Sequence, residues 1–204
     1  MGKYIVGITG ASGSIYADRL IRQLLKAGQK VVLTITEAGA RVLQQELGLN
    51  LGGKNTRSEA EDYLKSFFLP ENTEGSLEYY EIGNIGAPIA SGSYKVDGMI
   101  VIPCTMATVS AIAHGASRNL LERAADVMMK ERRTLIVVPR ETPFNTIHLQ
   151  NLLTLSQCNV QIIPAAPSFY HRPQTIEELA DFFVGRIMDQ LGINNDLVKR
   201  WSGL

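Results

Sequence analysis

Short apolar runs alternate with longer stretches in which apolar residues recur every three or four positions. This alternation predicts an α/β fold, a parallel sheet covered by helices. Tyr4 to Thr9 reads as the first strand, and a helix follows from about Gly13 to Ala27. Val31 to Thr36 predicts a second strand, followed by a helix near Ala38 to Leu47. Gly48 to Asn55, rich in Gly and Asn, reads as a loop, Ser58 to Phe68 as a helix and Leu77 to Ile82 as a short strand. The glycine-rich stretch Gly83 to Ser93, with Pro88 inside it, predicts a loop that takes unusual backbone angles. Met99 to Ile102, Leu135 to Val138 and Val160 to Ile163 complete the buried strands, each closed by a proline: Pro103, Pro139 and Pro164. The remaining helices are expected at about Thr105 to His114, Asn119 to Arg132, Pro143 to Ser156 and Ile176 to Leu191.

A chain of 204 residues, 45% of them apolar, fits one domain over residues 1–204 with a core that needs no disulfide or structural metal. Its 20 basic and 20 acidic residues cancel, which argues against nucleic-acid or membrane-surface binding, since both call for a basic excess. The longest apolar runs are strand-sized, so no membrane span is expected, and the N-terminus enters a strand pattern without a secretory signal. Cys104 and Cys158 read as reduced thiols of a cytoplasmic protein, and neither has a neighbour at metal-ligand spacing.

Ligands of open parallel sheets bind beyond the carboxyl ends of the strands, so the segments that follow the strands carry the chemistry. Gly10-Ala11-Ser12-Gly13 admits two readings: a tight turn with a capping serine, or an anion site at a helix start. The Gly7, Gly10, Gly13 spacing is neither the dinucleotide fingerprint nor a Walker loop. Thr36 caps the next helix or gives a ligand its hydroxyl, and Glu37 could hold a ribose. Thr105-Met106-Ala107-Thr108 offers backbone N–H groups and two hydroxyls, suited to a neutral heterocycle or a phosphate. Arg123 and Lys130, seven residues apart with Asp126 between them, read as a solvated ion-pair ladder, a reading that Arg132, Arg133 and Arg140 weaken. Arg140 and Glu141 fall at the ligand edge, where a partly shielded carboxyl can act as acid or base, and Thr142-Pro143 match a cap and first helical position. The loop Pro164 to Pro173, carrying Phe169, Tyr170 and His171, suits a planar ligand, a neighbouring subunit or a hydrophobic plug. No spacing of His114, His148 and His171 points to a metal.

Taken together, Thr9-Gly10-Ala11-Ser12-Gly13, Ala90-Ser91-Gly92-Ser93, Glu122-Arg123-Ala124-Ala125-Asp126-Val127, Lys130-Glu131, Val138-Pro139-Arg140-Glu141, Ile147-His148-Leu149 and Phe169-Tyr170-His171 resemble the UbiX flavin prenyltransferases, in that family's order and over nearly the whole chain. The resemblance implies a three-layer, Rossmann-like (flavodoxin-like) α/β sheet with helices on both faces. It implies metal-independent joining of dimethylallyl monophosphate to reduced FMN at N5 and C6, and a prenylated FMN product passed to a UbiD-type decarboxylase. It also implies a trimer-based homo-dodecamer; the residues themselves support an interface more weakly, through the aromatic loop and Trp201, since a lone Trp can equally pack on its own domain. Residue by residue, Gly10, Ala11, Ser12, Thr36, Thr105, Met106, Ala107, Thr108, Arg123 and Arg140 match FMN contacts. Lys130, Tyr170 and Arg186 match the groups around the substrate phosphate, and Glu141, Ser12, Lys130 and Ser91 fall in the chemical step. Thr105 is a conservative departure, since serine is commoner in the family at that position. Two alternatives stand beside this reading: an FMN-dependent decarboxylase of the cysteine-decarboxylase type, and a non-catalytic FMN carrier subunit.

Overall fold

In a sheet buried on both faces, successive side chains of each strand enter different cores, and this chain follows that rule. The computed structural model describes residues 1–69 and 73–197. Its strands are β1 (Lys3–Ile8), β2 (Lys30–Ile35), β3 (Ser76–Tyr79), β4 (Gly98–Cys104), β5 (Thr134–Pro139) and β6 (Gln161–Ile162), all parallel, in the order β3-β2-β1-β4-β5-β6. The helices are α1 (Ser14–Lys26), α2 (Glu37–Leu47), α3 (Arg57–Phe68), α4 (Met106–Ala113), α5 (Leu120–Lys130), α6 (Thr146–Gln157) and α7 (Ile176–Gln190). Val6, Ile8, Leu33, Ile100 and Val138 pack with α1, α2, α3 and α7 in one core. Ile5, Val32, Met99, Val101 and Val137 pack with α4, α5 and α6 in the other. The result is the three-layer α/β architecture.

The strand order reverses between β1 and β4. The chain runs outward from β1 to β2 and β3, then crosses to β4 and continues the other way. Loops leaving β1 and β4 therefore part in opposite directions and leave a crevice above the carboxyl ends of these two strands.

Several expectations need adjustment. β3 stops at Tyr79 and β6 keeps only Gln161–Ile162. Pro103 and Pro139 do not close their strands but lie within them: Pro103 precedes the final residue of β4, and Pro139 pairs with Cys104 in the last rung. A register irregularity between Val101 and Cys104 accommodates Pro103, which has no N–H to give. The loop from Gly83 to Ser93 contains a short 3-10 turn at Pro88–Ala90, and none of its glycines has a positive φ. α6 begins three residues later than Thr142-Pro143 suggested. Asn145 is its cap, accepting the His148 N–H at 2.9 Å while the His148 ring faces back to the Asn145 N–H. Trp201 lies outside the described residues. No helix among the described residues is long and apolar enough to cross a membrane.

Gly7 sets how closely α5 approaches the sheet. A Cβ at this position would lie 2.7 Å from Leu121 Cδ1 and 3.0 Å from Leu121 Cγ, inside a fully buried side chain. Gly7→Ala is therefore expected to lower stability by about 1–3 kcal/mol through overpacking, a loss read by urea unfolding.

Candidate active site

The walls of the crevice are joined through Thr9, which is 2% exposed. Its hydroxyl donates to the Pro103 carbonyl at 2.8 Å and accepts the Thr105 N–H at 2.8 Å, tying the end of β1 to the end of β4. The Arg140 N–H donates to the Cys104 carbonyl at 3.2 Å, and its Nε donates to the Ser12 carbonyl at 3.0 Å. The Thr36 N–H donates to the Ile8 carbonyl at 2.9 Å. At Gly10 an added Cβ would lie 2.5 Å from Ala38 Cβ, so only glycine lets the β1 loop rest on the start of α2. Four segments are thus gathered at one edge: Gly10-Ala11-Ser12, Thr36, Thr105 to Thr108, and Arg140. Thr36 caps α2, accepting the Gly39 N–H at 3.0 Å. Thr105 caps α4, accepting the Thr108 N–H at 3.2 Å, and its hydroxyl lies 3.0 Å from that of Thr108. Met106 is buried behind this corner and Ala107 is exposed.

Glu46, in the last turn of α2, was not singled out by the sequence. Its Oε2 accepts N–H bonds from Gly13 at 3.0 Å and Ser14 at 2.7 Å. Burial alone would push this carboxyl up. Bonds from the Ser12 hydroxyl and the Ser14 and Gly13 N–H groups outweigh it and hold the group below the usual carboxylate range. The cap of α1 is accordingly not a serine but Gly13, at φ 110°, a conformation that suits glycine. A carboxylate from α2 already fills the anion position at the start of α1. Between the two readings of this loop, the tight turn is the one the geometry favours. Among the described residues no carboxylate is bonded to the first turn of α4, which leaves that helix end as the crevice's anion-attracting terminus.

The cationic residues form two further groups. On α5, Arg123 donates through Nε to the Ala90 carbonyl at 3.2 Å and pairs with Asp126 at 2.7 Å. Lys130 pairs with Glu131 at 2.6 Å rather than with Asp126, so the expected ladder is only half formed. Arg123 therefore sits beside the Ser91 loop rather than with the crevice loops. α5 runs antiparallel to the strands, and Lys130 ends up near the start of β5, whereas Arg140 follows its end. Six residues of strand separate the two, about 20 Å at the usual rise. The third group is a groove of about 420 Å³ lined by Tyr170 and Arg186 together with Pro164, Pro167, Phe182 and Phe183. Arg186 is 57% exposed and lies 3.7 Å from Asp189. The His171 ring stacks on Phe182 at 4.2 Å beside Tyr170. Lys130 is not among the walls of this groove.

Glu141 is exposed rather than partly shielded, and its Oε1 accepts the Thr142 N–H at 3.0 Å. Cys104 is fully buried, which pushes its thiol far above the usual range and makes it a poor nucleophile. Among the described residues no three His, Cys, Asp or Glu side chains converge where a metal ion could sit.

The description "Flavoprotein" fits a family model matched by residues 2–188. A protein of Halalkalibacterium halodurans called flavin prenyltransferase UbiX is 50% identical over 201 residues, 98% of this chain and 94% of that one. The chain belongs to the flavoprotein family, among the flavin prenyltransferases of the UbiX type. Two solved structures agree. AnUbiX (PadA1), in complex with FMN and dimethylallyl pyrophosphate, superposes with a TM-score of 0.87 at 32% identity, covering 100% of this chain and 98% of that one. A dodecameric FMN-dependent UbiX-like decarboxylase from Escherichia coli O157:H7 gives 0.85 at 33% identity, over 98% of this chain and 100% of that one. A peptidyl-cysteine decarboxylase, at 18% identity and a TM-score of 0.54, shares the fold alone. A flavin prenyltransferase must hold two ligands, and this chain presents one crevice, a cationic end of α5 and a separate groove lined by Tyr170 and Arg186.

Two outcomes test this geometry. Thr9→Val leaves the part-buried Thr105 N–H without its acceptor and is expected to cost about 1–3 kcal/mol in chemical unfolding. Glu46→Gln removes a carboxylate whose folded pKa lies below its unfolded value. The stabilisation it gives is complete above the unfolded value, about 4.3, and fades as pH falls through the lower folded value. The Tm difference between wild type and Glu46→Gln is therefore expected to be largest near neutral pH and to close in acid.

Proposed function

We propose that this enzyme moves the dimethylallyl group of dimethylallyl monophosphate onto reduced FMN, without a metal, and releases prenylated FMN for a UbiD-type decarboxylase. The observation that carries the reading is the groove shared by Tyr170 and Arg186. A carrier that held only FMN would have no use for a second phosphate-binding surface outside the flavin crevice. The crevice fits a flavin mononucleotide: it joins a glycine-bearing turn, two helix-capping hydroxyls, an arginine and the first turn of α4. In this reading Gly10, Ala11, Ser12, Thr36, Thr105 to Thr108 and Arg140 hold FMN. When bound and reduced, FMN supplies the nucleophilic ring that is alkylated at N5 and closed at C6.

The chain's own groups do the rest. Arg186 and Tyr170 donate to the phosphate of the prenyl donor, with Lys130 adding charge, and these donors favour the growing charge as the C–O bond to the prenyl carbon breaks, while Arg123 stays among the FMN contacts. Fixed cations in a water-poor pocket take the part that a metal ion plays elsewhere. Glu141, near the crevice loops, exchanges the proton, and Ser12, oriented by Glu46, offers a second hydroxyl beside the ring. Ser91 closes over the donor. The residues lie too far apart to meet within one chain, so the site is completed between copies. Ile147, Leu149, Leu153 and Phe169 leave apolar surface exposed that such contacts would cover, in a homo-dodecamer like the relative's. Each copy works as a single domain over residues 1–204, in the cytoplasm, where its free thiols stay reduced.

Anaerobic incubation with reduced FMN and dimethylallyl monophosphate is expected to yield a flavin heavier by one prenyl unit by mass spectrometry, and recovery of unmodified FMN alone would count against the assignment. Arg186→Ala is expected to weaken dimethylallyl monophosphate binding by about ten- to a hundredfold while FMN titrates normally. Glu141→Gln is expected to keep FMN and slow turnover by about 10²–10⁴.

A further inference from the structure

The segment Ala90 to Tyr94 is held against the end of α5 by residues to which no role has yet been given. Arg133 donates through Nη2 to the Gly92 carbonyl at 2.6 Å and through Nη1 to the Tyr94 carbonyl at 2.8 Å. A planar guanidinium is suited to such a two-carbonyl clamp, and the Arg133 side chain is 20% exposed. Glu131 lies between the two cations, bonded to Lys130 at 2.6 Å with its other oxygen 3.9 Å from Arg133. It is also the C-cap of α5, where the helix dipole disfavours a carboxylate. An acid at that position needs neighbouring cations to hold it. The pair rests directly on the loop: a Cβ added at Gly92 would collide with the Glu131 carboxylate and lie 2.9 Å from Lys130 Nζ. Gly92 has no positive φ, so the glycine serves close approach and not an unusual backbone angle.

We infer that Arg133, Glu131 and Gly92 are positioning residues: together they fix the Lys130 ammonium and the Ser91 loop in one geometry, and Arg133 and Gly92 set the affinity for the prenyl donor without touching it. The inference rests on the reading of Lys130 as a phosphate-binding residue. Neither Arg133 nor Gly92 contacts the flavin crevice, so their effects separate from those on FMN.

The test uses the intact assembly and four chains: wild type, Arg133→Ala, Arg133→Lys and Gly92→Ala. Amide hydrogen exchange over residues 90–94 is measured alongside KM for dimethylallyl monophosphate, kcat at saturating donor, the FMN dissociation constant and Tm. Arg133→Ala is expected to speed exchange in the segment and raise KM about tenfold, with kcat and FMN affinity within about twofold of wild type. Arg133→Lys, able to reach one carbonyl, is expected to fall between. Gly92→Ala is expected to raise KM similarly by displacing the Lys130–Glu131 pair. Unchanged exchange and unchanged KM in Arg133→Ala overturn the inference, as does a fall in Tm and kcat together with KM constant, which marks a purely structural role. If the wild type itself fails to bind dimethylallyl monophosphate, the reading of Lys130 fails, and the exchange measurement still decides whether the clamp exists.

Discussion

The site depends on one buried hydroxyl. Thr9 stands where the strand order reverses, so the segments after β1 and β4 would otherwise diverge. By donating to Pro103 and accepting from Thr105, it makes the two segments a single wall. Arg140 then reaches the Ser12 carbonyl from β5, and the close packing of Gly10 on Ala38 brings in the start of α2. A buried hydroxyl with both partners satisfied favours one geometry, because each alternative strands a polar group away from water.

The same fold that builds the crevice separates the rest of the chemistry. A helix returning antiparallel to its strands must deliver its last residue to the opposite edge of the sheet. Lys130 thus cannot share an edge with Arg140 and Glu141 in one chain, whatever its side-chain conformation. Tyr170 and Arg186 lie on a third surface, formed by the segment after β6 and by α7. Under the proposed function, assembly is therefore part of how the site is made, and the exposed apolar residues of α6 have a reason to be there.

Much of the fold was legible from the sequence because strand-sized apolar runs and helical periodicity are local. All six strands and seven α-helices of the described residues were anticipated, with boundaries moved by a few residues. The larger misses arose where a distant group overrode a local signal. Ser12 looked like a cap, but Glu46, 34 positions further on, occupies the α1 terminus, and sequence spacing gives no sign of that contact. Thr142-Pro143 looked like a helix start, yet Asn145 with His148 makes the better reciprocal cap. The glycines of the 83–93 loop suggested unusual angles, whereas Gly92 answers to a carboxylate from α5. The residues proposed to bind the donor phosphate were recognisable only through the family resemblance, because Lys130 lies on one surface of the chain and Tyr170 and Arg186 line another.

Completion of the site between copies is tested most directly by subunit complementation. Lys130→Ala and Arg186→Ala chains, each impaired as a pure assembly at a donor concentration that does not saturate it, are mixed under conditions that reshuffle subunits, and prenylated FMN is quantified at that concentration. If the two residues reach a site from different copies, random mixing leaves roughly a quarter of sites with both intact, and activity returns to about that level. If activity stays at the level of the separate variants, both residues serve a site from the same chain, and the account of an active site built by assembly is wrong.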